Sequence, residues 1–199
     1  AYSLILAGAL ISITLNPLAF HLVRAIHNFG AHYPRIARWL NVTDDNLGHL
    51  REDERKQLRD LVILVGYGRV GKHIQHNVES AHMDLVVIDL NRERIEMLRE
   101  KGLHAIAGDA THYETLSEAA IEKATAVIVA VPNPYEARRI VETARALRPD
   151  IKILVRAHND EELAYFKSQN VDLAVMGVQE VARRMVEYLH ENTTAQRIS

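Results

Sequence analysis

The sequence predicts an α/β fold in which a six-stranded parallel sheet is covered by helices on both faces. From residue 61 onward, short continuous apolar runs alternate with segments of helical periodicity, as expected for strands buried on both sides. The first apolar run, 61–65, leads directly into Gly66-x-Gly68-x-x-Gly71, the spacing of the turn between the first strand and first helix of such sheets. The architecture is therefore doubly wound and Rossmann-like, with a crevice at the carboxyl ends of strands one and four.

Each element has a local signal. Strands are expected at the apolar runs 61–65, 85–89, 104–107, 126–131, 151–155 and 171–175. Helices are expected at 70–80, 92–100, 112–120, 134–147, 160–169 and 178–190. Gly102 marks the end of the second of these helices. The last helix carries one apolar stripe, which either closes the core of the domain or packs on a second copy of the chain.

The N-terminal segment 1–23 has no acidic or basic residue, and 16 of its 23 residues are apolar. A helix of this length would be about 35 Å long, enough to cross a bilayer core of about 30 Å. We predict a transmembrane helix within 1–27, centred on 1–15; a buried helix or a signal peptide are the alternatives. Arg24, Arg35 and Arg38 follow and place the downstream residues, after about 24, in the cytoplasm.

Four parts of the chain are therefore expected: the last transmembrane helix (1–27), a cytoplasmic linker (28–60), the α/β domain (61–177) and a C-terminal helix and tail (178–199). Residues 51–60 of the linker contain eight charged side chains of both signs, which indicates a solvated helix. Because the chain opens inside an apolar run, we expect it to be the tail of a larger membrane protein.

Composition excludes several classes of function. The chain has no cysteine, which excludes disulfides and thiol chemistry, and its net charge of −2 does not favour nucleic acid as a partner. The eleven histidines show no spacing typical of a metal site. Only about 20 residues follow the sixth strand, too few for the substrate domain of a dehydrogenase. We therefore expect no enzymatic activity.

The glycine turn and the end of strand two predict a nucleotide site. Gly66 suits the tight turn, Gly68 a close approach of backbone to phosphate, and Gly71 close packing of helix on sheet. Asp89 ends strand two 18 residues after Gly71, where an acid binds the ribose hydroxyls and disfavours a 2′-phosphate. Arg92 and Arg94 weaken that exclusion; the alternative role for Asp89 is a helix cap.

Further candidates lie at neighbouring strand ends. Asp109, in the turn after strand three, is expected to contact the adenine base; a turn or helix cap is the alternative. Arg69 is placed either to reach a phosphate or to form a surface ion pair. Glu136 begins the helix after strand four and is a candidate to face the ribose. Arg156 closes strand five as a cation near the crevice.

These motifs resemble a known family. VILVGYGRVG, VVID, AIAGDAT, AVIVAVPNP and ILVRAHN, in this order, are similar to the TrkA-N domain, also called the RCK N-terminal domain, which regulates potassium channels and antiporters. The preceding LAGALISITLNPLAF resembles the last membrane helix of Kef-type monovalent cation:proton antiporters. The resemblance covers residues 1–190.

The resemblance implies a bacterial, multi-pass inner-membrane potassium:proton antiporter whose cytoplasmic domains form a homodimer and bind AMP or NAD(H) as a regulatory nucleotide. By position, it assigns nucleotide contacts to the turn, to strand two and to strand three: Gly66, Tyr67, Gly68, Arg69, Val70, Gly71, Asp89, Leu90, Asp109 and Ala110. Glutathione-gated members carry Arg-Ala-Arg after strand five, whereas this chain has Arg156-Ala157-His158, so glutathione gating is not expected. A soluble NAD-dependent oxidoreductase and a channel-gating subunit are the alternatives.

Overall fold

A computed structural model of the chain describes residues 47–198, with side chains except those of Glu79 and of residues 192–198. The transmembrane helix predicted within 1–27 and the first part of the predicted linker, 28–46, lie outside the described residues. Within residues 47–198, no helix is both long enough and apolar enough to cross a membrane.

The strands form one six-stranded sheet in the order β3-β2-β1-β4-β5-β6, and all neighbours are parallel. The predicted doubly wound fold is therefore confirmed, and the order reverses between β1 and β4. The strands are β1 Val62–Val65, β2 Leu85–Asp89, β3 His104–Ala107, β4 Ala126–Val129, β5 Lys152–Ala157 and β6 Leu173–Met176.

Seven helices are described; one precedes β1 in the chain and the other six follow it. They are α1 Glu52–Gln57, α2 Arg69–Ser80, α3 Arg92–Glu100, α4 Tyr113–Glu118, α5 Pro134–Leu147, α6 Asp160–Ser168 and α7 Gly177–Ile198. Asparagine side chains cap three of them by accepting backbone N–H bonds: Asn91 at α3, Asn133 at α5 and Asn159 at α6.

Both faces of the sheet are buried. Along β1, Ile63 and Val65 belong to one apolar cluster, while Val62 and Leu64 belong to the other. Successive side chains of a strand point to opposite faces, so a continuous apolar run fills both clusters. This is why the strands are visible in the sequence as unbroken apolar runs.

Several element boundaries differ from the prediction by a few residues. β4 ends at Val129, because the chain leaves the sheet after Ala130 N donates to Val65 O (2.8 Å). β5 continues to Ala157, because its last residues still pair with β6. β6 starts at Leu173, two residues after the predicted start at 171, because the side chain of Asp172, rather than its backbone, accepts the hydrogen bond from Ile153 N (2.7 Å).

The charged linker helix α1 is fastened to the amino edge of the sheet. Arg55 donates to Ser117 O (2.7 Å) and to Glu122 Oε1 (3.1 Å), in the connection that precedes β4. Glu54 Oε1 lies 3.8 Å from Nδ1 of His104, the first residue of β3. The helix is therefore solvated on one side, as predicted, and held to the domain on the other.

The last helix, α7, is exposed along the part whose side chains are described. Its predicted apolar stripe includes Val178, Val181 and Met185, which are 74%, 57% and 65% exposed. The stripe also follows the edge strand β6, where Leu173 is 48% exposed. Of the two predicted roles for this helix, closure of the domain's own core is therefore wrong.

Candidate functional site

A cavity of about 770 Å³ opens at the carboxyl edge of the sheet, around β1 and β4. Its walls come from the glycine turn, the ends of β2 and β3, the start of α5 and the end of β5. The predicted crevice therefore exists at the predicted place. Three acidic and three basic side chains line it: Asp89, Asp109, Glu136, Arg69, Arg94 and Arg156.

The glycine turn forms the floor of this cavity. Gly66 has φ +97°, and a Cβ there would meet the backbone of Ala130 and Val131 at 3.1 Å. A Cβ on Gly71 would lie 2.2 Å from Gly66 O, so this glycine lets the start of α2 lie against the turn. Gly68 faces open space in the cavity, which leaves room for a ligand to approach the backbone.

The start of α2 presents backbone donors to the cavity. Lys72 N donates to Gly68 O (3.1 Å), so the amides of Arg69, Val70 and Gly71 lie ahead of the helix's own hydrogen bonds. Of these three residues, Arg69 and Val70 line the cavity. Unpaired amides and the positive end of the helix dipole favour an anion at this position. Among the side chains that the structure describes, none forms an ion pair or hydrogen bond with the exposed guanidinium of Arg69, so none of them provides the surface ion pair considered for it.

Asp89 joins the end of β2 to the glycine turn. Its Oδ2 accepts a bond from Tyr67 N (2.7 Å), and its Oδ1 accepts one from Asn91 N (2.8 Å). Arg94 Nη1 lies 3.5 Å from Oδ2. Asn91 is the N-cap of α3 and accepts from Arg94 N (2.9 Å), while Asp89 accepts from the backbone N–H of Asn91 itself. Asp89 therefore satisfies one N–H group just ahead of the helix, as its alternative role requires, and its ribose role stays a prediction.

Asp109 lies in the turn after β3. Its Oδ1 accepts a bond from Thr111 N (2.9 Å), and its carbonyl oxygen accepts one from His112 N (3.1 Å). Burial by itself raises the pKa of Asp109, but hydrogen bonds from Thr111 and, to a lesser degree, the nearby charges of His112 and Arg139 hold the pKa below its ordinary value of 3.8. Asp109 is thus an ionised acceptor at the cavity wall, and it also stabilises the turn.

Two further side chains define the far wall. Glu136 lies in the first turn of α5, where Asn133 Nδ2 donates to its Oε1 (3.3 Å). Arg156 lines the cavity from β5. His158, which replaces the second arginine of the glutathione-gated pattern, places its Nδ1 3.1 Å from the buried Glu162 Oε2. The expectation that glutathione does not gate this protein stays a prediction.

The structure brings most of the candidate contacts together. Nine of the eleven line the cavity: Gly66, Gly68, Arg69, Val70, Asp89, Leu90, Asp109, Ala110 and Glu136. Tyr67 and Gly71 are buried behind the turn and do not line it, so they act through its shape. Arg94 and Arg156 also line the cavity; both were predicted near it, without an assigned nucleotide contact. Asn91 was not predicted, although its position two residues after the end of β2 was an available signal.

The fold and cavity together define a Rossmann-type domain with a glycine turn after β1 and an acidic residue at the end of β2. Residues 62–177 match the TrkA-N domain family, and the chain belongs to this family. The resemblance to the TrkA-N domain of a Kef-type antiporter, of the kind represented by YbaL, is thereby confirmed.

Two curated relatives give the wider context. The chain is 38% identical over 190 residues to the putative cation/proton antiporter YbaL of Escherichia coli (strain K12), covering 94% of this chain and 32% of that protein. It is 33% identical over 162 residues to potassium channel protein 1 of Methanocaldococcus jannaschii, covering 72% and 49%. The chain therefore spans less than half of the length of these relatives.

Solved structures agree on the fold. The crystal structure of the TrkA-N domain of the E. coli inner membrane protein YbaL is 42% identical, with a TM-score of 0.63, and covers 67% of this chain and 98% of that one. The Shewanella denitrificans Kef C-terminal domain in AMP-bound form is 22% identical, with a TM-score of 0.55, and covers 69% and 86%. At 22% identity, the match to the Kef C-terminal domain shows a shared fold and nothing further.

Proposed function

We propose that this chain is the C-terminal part of an inner-membrane potassium:proton antiporter, with a cytoplasmic domain that binds AMP or NAD(H) and gates ion transport. The observation that carries the proposal is the cavity itself, where the glycine turn, the start of α2 and Asp89 face one space. The identity to the antiporter YbaL over 94% of the chain supports the membrane context.

The residues present fit a nucleotide. The amides at the start of α2, with Arg69, would hold a phosphate, and Asp89 would accept bonds from ribose hydroxyls. Asp109 and the backbone of Gly108 and Ala110 would flank the base, because they line the cavity beyond β2. In this proposal the nucleotide is bound and released unchanged, and the domain is not an enzyme.

Calorimetric titration tests the site. The 199-residue chain, purified in a mild detergent, is titrated with AMP, ATP, NAD and NADH; we expect saturable binding of AMP or NAD(H). Asp89→Ala should weaken it at least ten-fold, whereas Asp150→Ala, an exposed acid beside Arg148, should leave it unchanged. Circular dichroism shows whether both variants are folded. Absence of binding, or binding insensitive to Asp89, contradicts the site.

Regulation requires that the nucleotide distinguish two states. A ligand shifts a conformational equilibrium only through unequal affinity for its members. In the complete transporter, reconstituted in vesicles, nucleotide should therefore change the rate of potassium-driven proton movement, and Asp89→Ala should abolish that change. Transport that responds equally in the wild type and the variant contradicts gating through this cavity.

We also propose that the domain forms a homodimer through the exposed stripe of α7 and the adjoining edge of the sheet. Monomeric proteins rarely expose apolar side chains in such a continuous row, and an edge strand offers unpaired backbone groups. Light scattering should give twice the chain mass of 22.5 kDa. Met185→Glu should yield monomers, whereas Arg183→Glu, on the opposite side of the helix, should not. A dimer that survives Met185→Glu contradicts this interface.

A second candidate function is a gating domain of a potassium channel, which the identity to potassium channel protein 1 favours. The two functions differ in the membrane domain that precedes the chain. Reconstituted flux separates them, because a channel passes potassium down its gradient without countermovement of protons.

A further inference from the structure

The linker residues around α1 are attached to the amino edge of the sheet mainly by contacts that do not titrate near neutral pH. Leu50 and Leu58, on either side of α1, are 4% and 8% exposed and belong to one of the two apolar clusters. Lys123 Nζ donates to Arg55 O (2.7 Å), beside the bonds that the Arg55 side chain makes to the same connection. Lysine and arginine keep their charge between about pH 5 and 8, so these contacts hold α1 throughout that range.

One contact of α1 involves a histidine. His104 is the first residue of the edge strand β3, and its Nδ1 lies 3.8 Å from Glu54 Oε1; the two side chains are 33% and 29% exposed. The other carboxylate oxygen, Glu54 Oε2, accepts a bond from Arg51 N (2.9 Å), which fixes the carboxylate at the start of the helix. Histidine changes charge between about pH 5 and 8. A histidine–glutamate pair is therefore attractive at the acidic end of that range and loses its attraction as the pH rises.

Two other charged groups belong to the same junction. Burial lowers the pKa of Arg99 on α3, the charge of Glu54 opposes that shift, and the charge of Arg51 adds to it, so these charges lie within electrostatic reach of one another. The Arg99 guanidinium donates to two backbone carbonyl oxygens, both at 2.7 Å. On β2, the residue paired with His104 is the uncharged Val86. The charged group in contact with the His104 ring is thus Glu54, and at 3.8 Å its attraction dominates because Coulomb energy falls with distance.

We propose that protonation of His104 tightens the attachment of α1 to the sheet, so that the linker responds to pH. The imidazolium and Glu54 form an ion pair at acidic pH, and the apolar and Arg55 contacts remain when that attraction is lost. The device therefore grades the attachment and does not release the linker. It goes beyond the proposed nucleotide binding and does not depend on it, because the cavity lies at the opposite edge of the sheet. Within the proposed antiporter, the linker would thereby sense one of the transported ions.

The test is hydrogen exchange of α1 in the 199-residue chain, in a mild detergent, at pH 5.5 and pH 8, with intrinsic exchange rates corrected for pH. Protection of the α1 amides should be about two- to five-fold higher at pH 5.5, the range that a partly exposed ion pair provides. His104→Gln should abolish this difference, and so should Glu54→Gln, which keeps an oxygen for Arg51 N but removes the charge. His104→Lys carries a permanent charge and should give the higher protection at both pH values. His76→Gln, which removes an exposed histidine of α2, is the matched control and should keep the wild-type difference.

The pH dependence separates this device from a merely structural contact, whose loss would lower protection equally at both pH values. Equal protection of the wild type at the two pH values contradicts the inference. Higher protection at pH 8 would mean that repulsion from Arg99 and Arg51 dominates, and it overturns the inference as well. So does a difference that persists in both His104→Gln and Glu54→Gln, whose folding is checked by circular dichroism. None of these outcomes bears on nucleotide titration, so the proposed function is tested separately.

Discussion

Two glycines of the turn, three residues apart, have different roles: substitution of Gly71 should lower the stability of the fold, whereas substitution of Gly68 should affect ligand binding alone. In Gly71→Ala the new methyl would lie 2.2 Å from Gly66 O and 3.2 Å from Gly66 C, both backbone atoms, so turn and helix must separate by about 1 Å to reach ordinary contact. Overpacking of this kind costs about 1–3 kcal/mol, which for a chain of this length lowers the melting temperature by roughly 2–12 °C. Gly68→Ala meets no atom within 4 Å and should melt at or above the wild-type temperature.

The assay is thermal unfolding followed by circular dichroism, with and without the nucleotide that binds best. Gly68→Ala places its methyl at the cavity floor and should lose most of the ligand-dependent rise in melting temperature. Gly71→Ala should lose stability even without ligand. If Gly71→Ala melts with the wild type, the packing argument for the turn is refuted. If Gly68→Ala retains full ligand stabilisation, no phosphate approaches the backbone there.

Two further predictions concern charge. Hydrogen bonds from Thr111 depress the pKa of Asp109 in the folded state, so its stabilisation is present above the unfolded pKa, about 3.9, and is lost as the pH falls further. Asp109→Asn should therefore lower the melting temperature at pH 6, with a difference that shrinks toward pH 3; a difference independent of pH would contradict the assignment. Arg55→Ala should speed hydrogen exchange of α1, because Arg55 fastens it to Ser117 and Glu122. Lys56→Ala, whose side chain is 75% exposed, is the control, and equal exchange in both variants would show that Arg55 does not hold the helix.

The sequence predicts the sheet well because burial on both faces leaves an unbroken apolar run for each strand. The strand order follows from the right-handed connections that parallel strands require. The positions of Gly66, Gly68 and Asp89 were also predictable, since the turn and the end of β2 meet at one edge in any such fold.

Other features depend on tertiary geometry that a linear pattern does not encode. The directions of the side chains on α3 depend on how this helix leaves β2. Both Arg92 and Arg94 were therefore predicted near Asp89, and the sequence did not indicate that Arg94 forms the ion pair. The bond from Tyr67 N to Asp89 is likewise a contact between two turns 22 residues apart. For α7, the same apolar periodicity fits burial in a core or at an interface, and only the observed exposure excludes the first.

The attachment of α1 constrains how the two ends of the domain can communicate. Its contacts lie where β3 and β4 begin, whereas the cavity lies where the strands end, and no described residue is shared between them. At about 3.3 Å per residue, strands of four to six residues separate the two edges by roughly 13–20 Å of closely packed sheet. Such a sheet transmits displacement as a stiff body. In the proposed gating, a ligand in the cavity would therefore move the linker by tilting the whole domain as a rigid body, and the linker's own contacts with the domain would be kept.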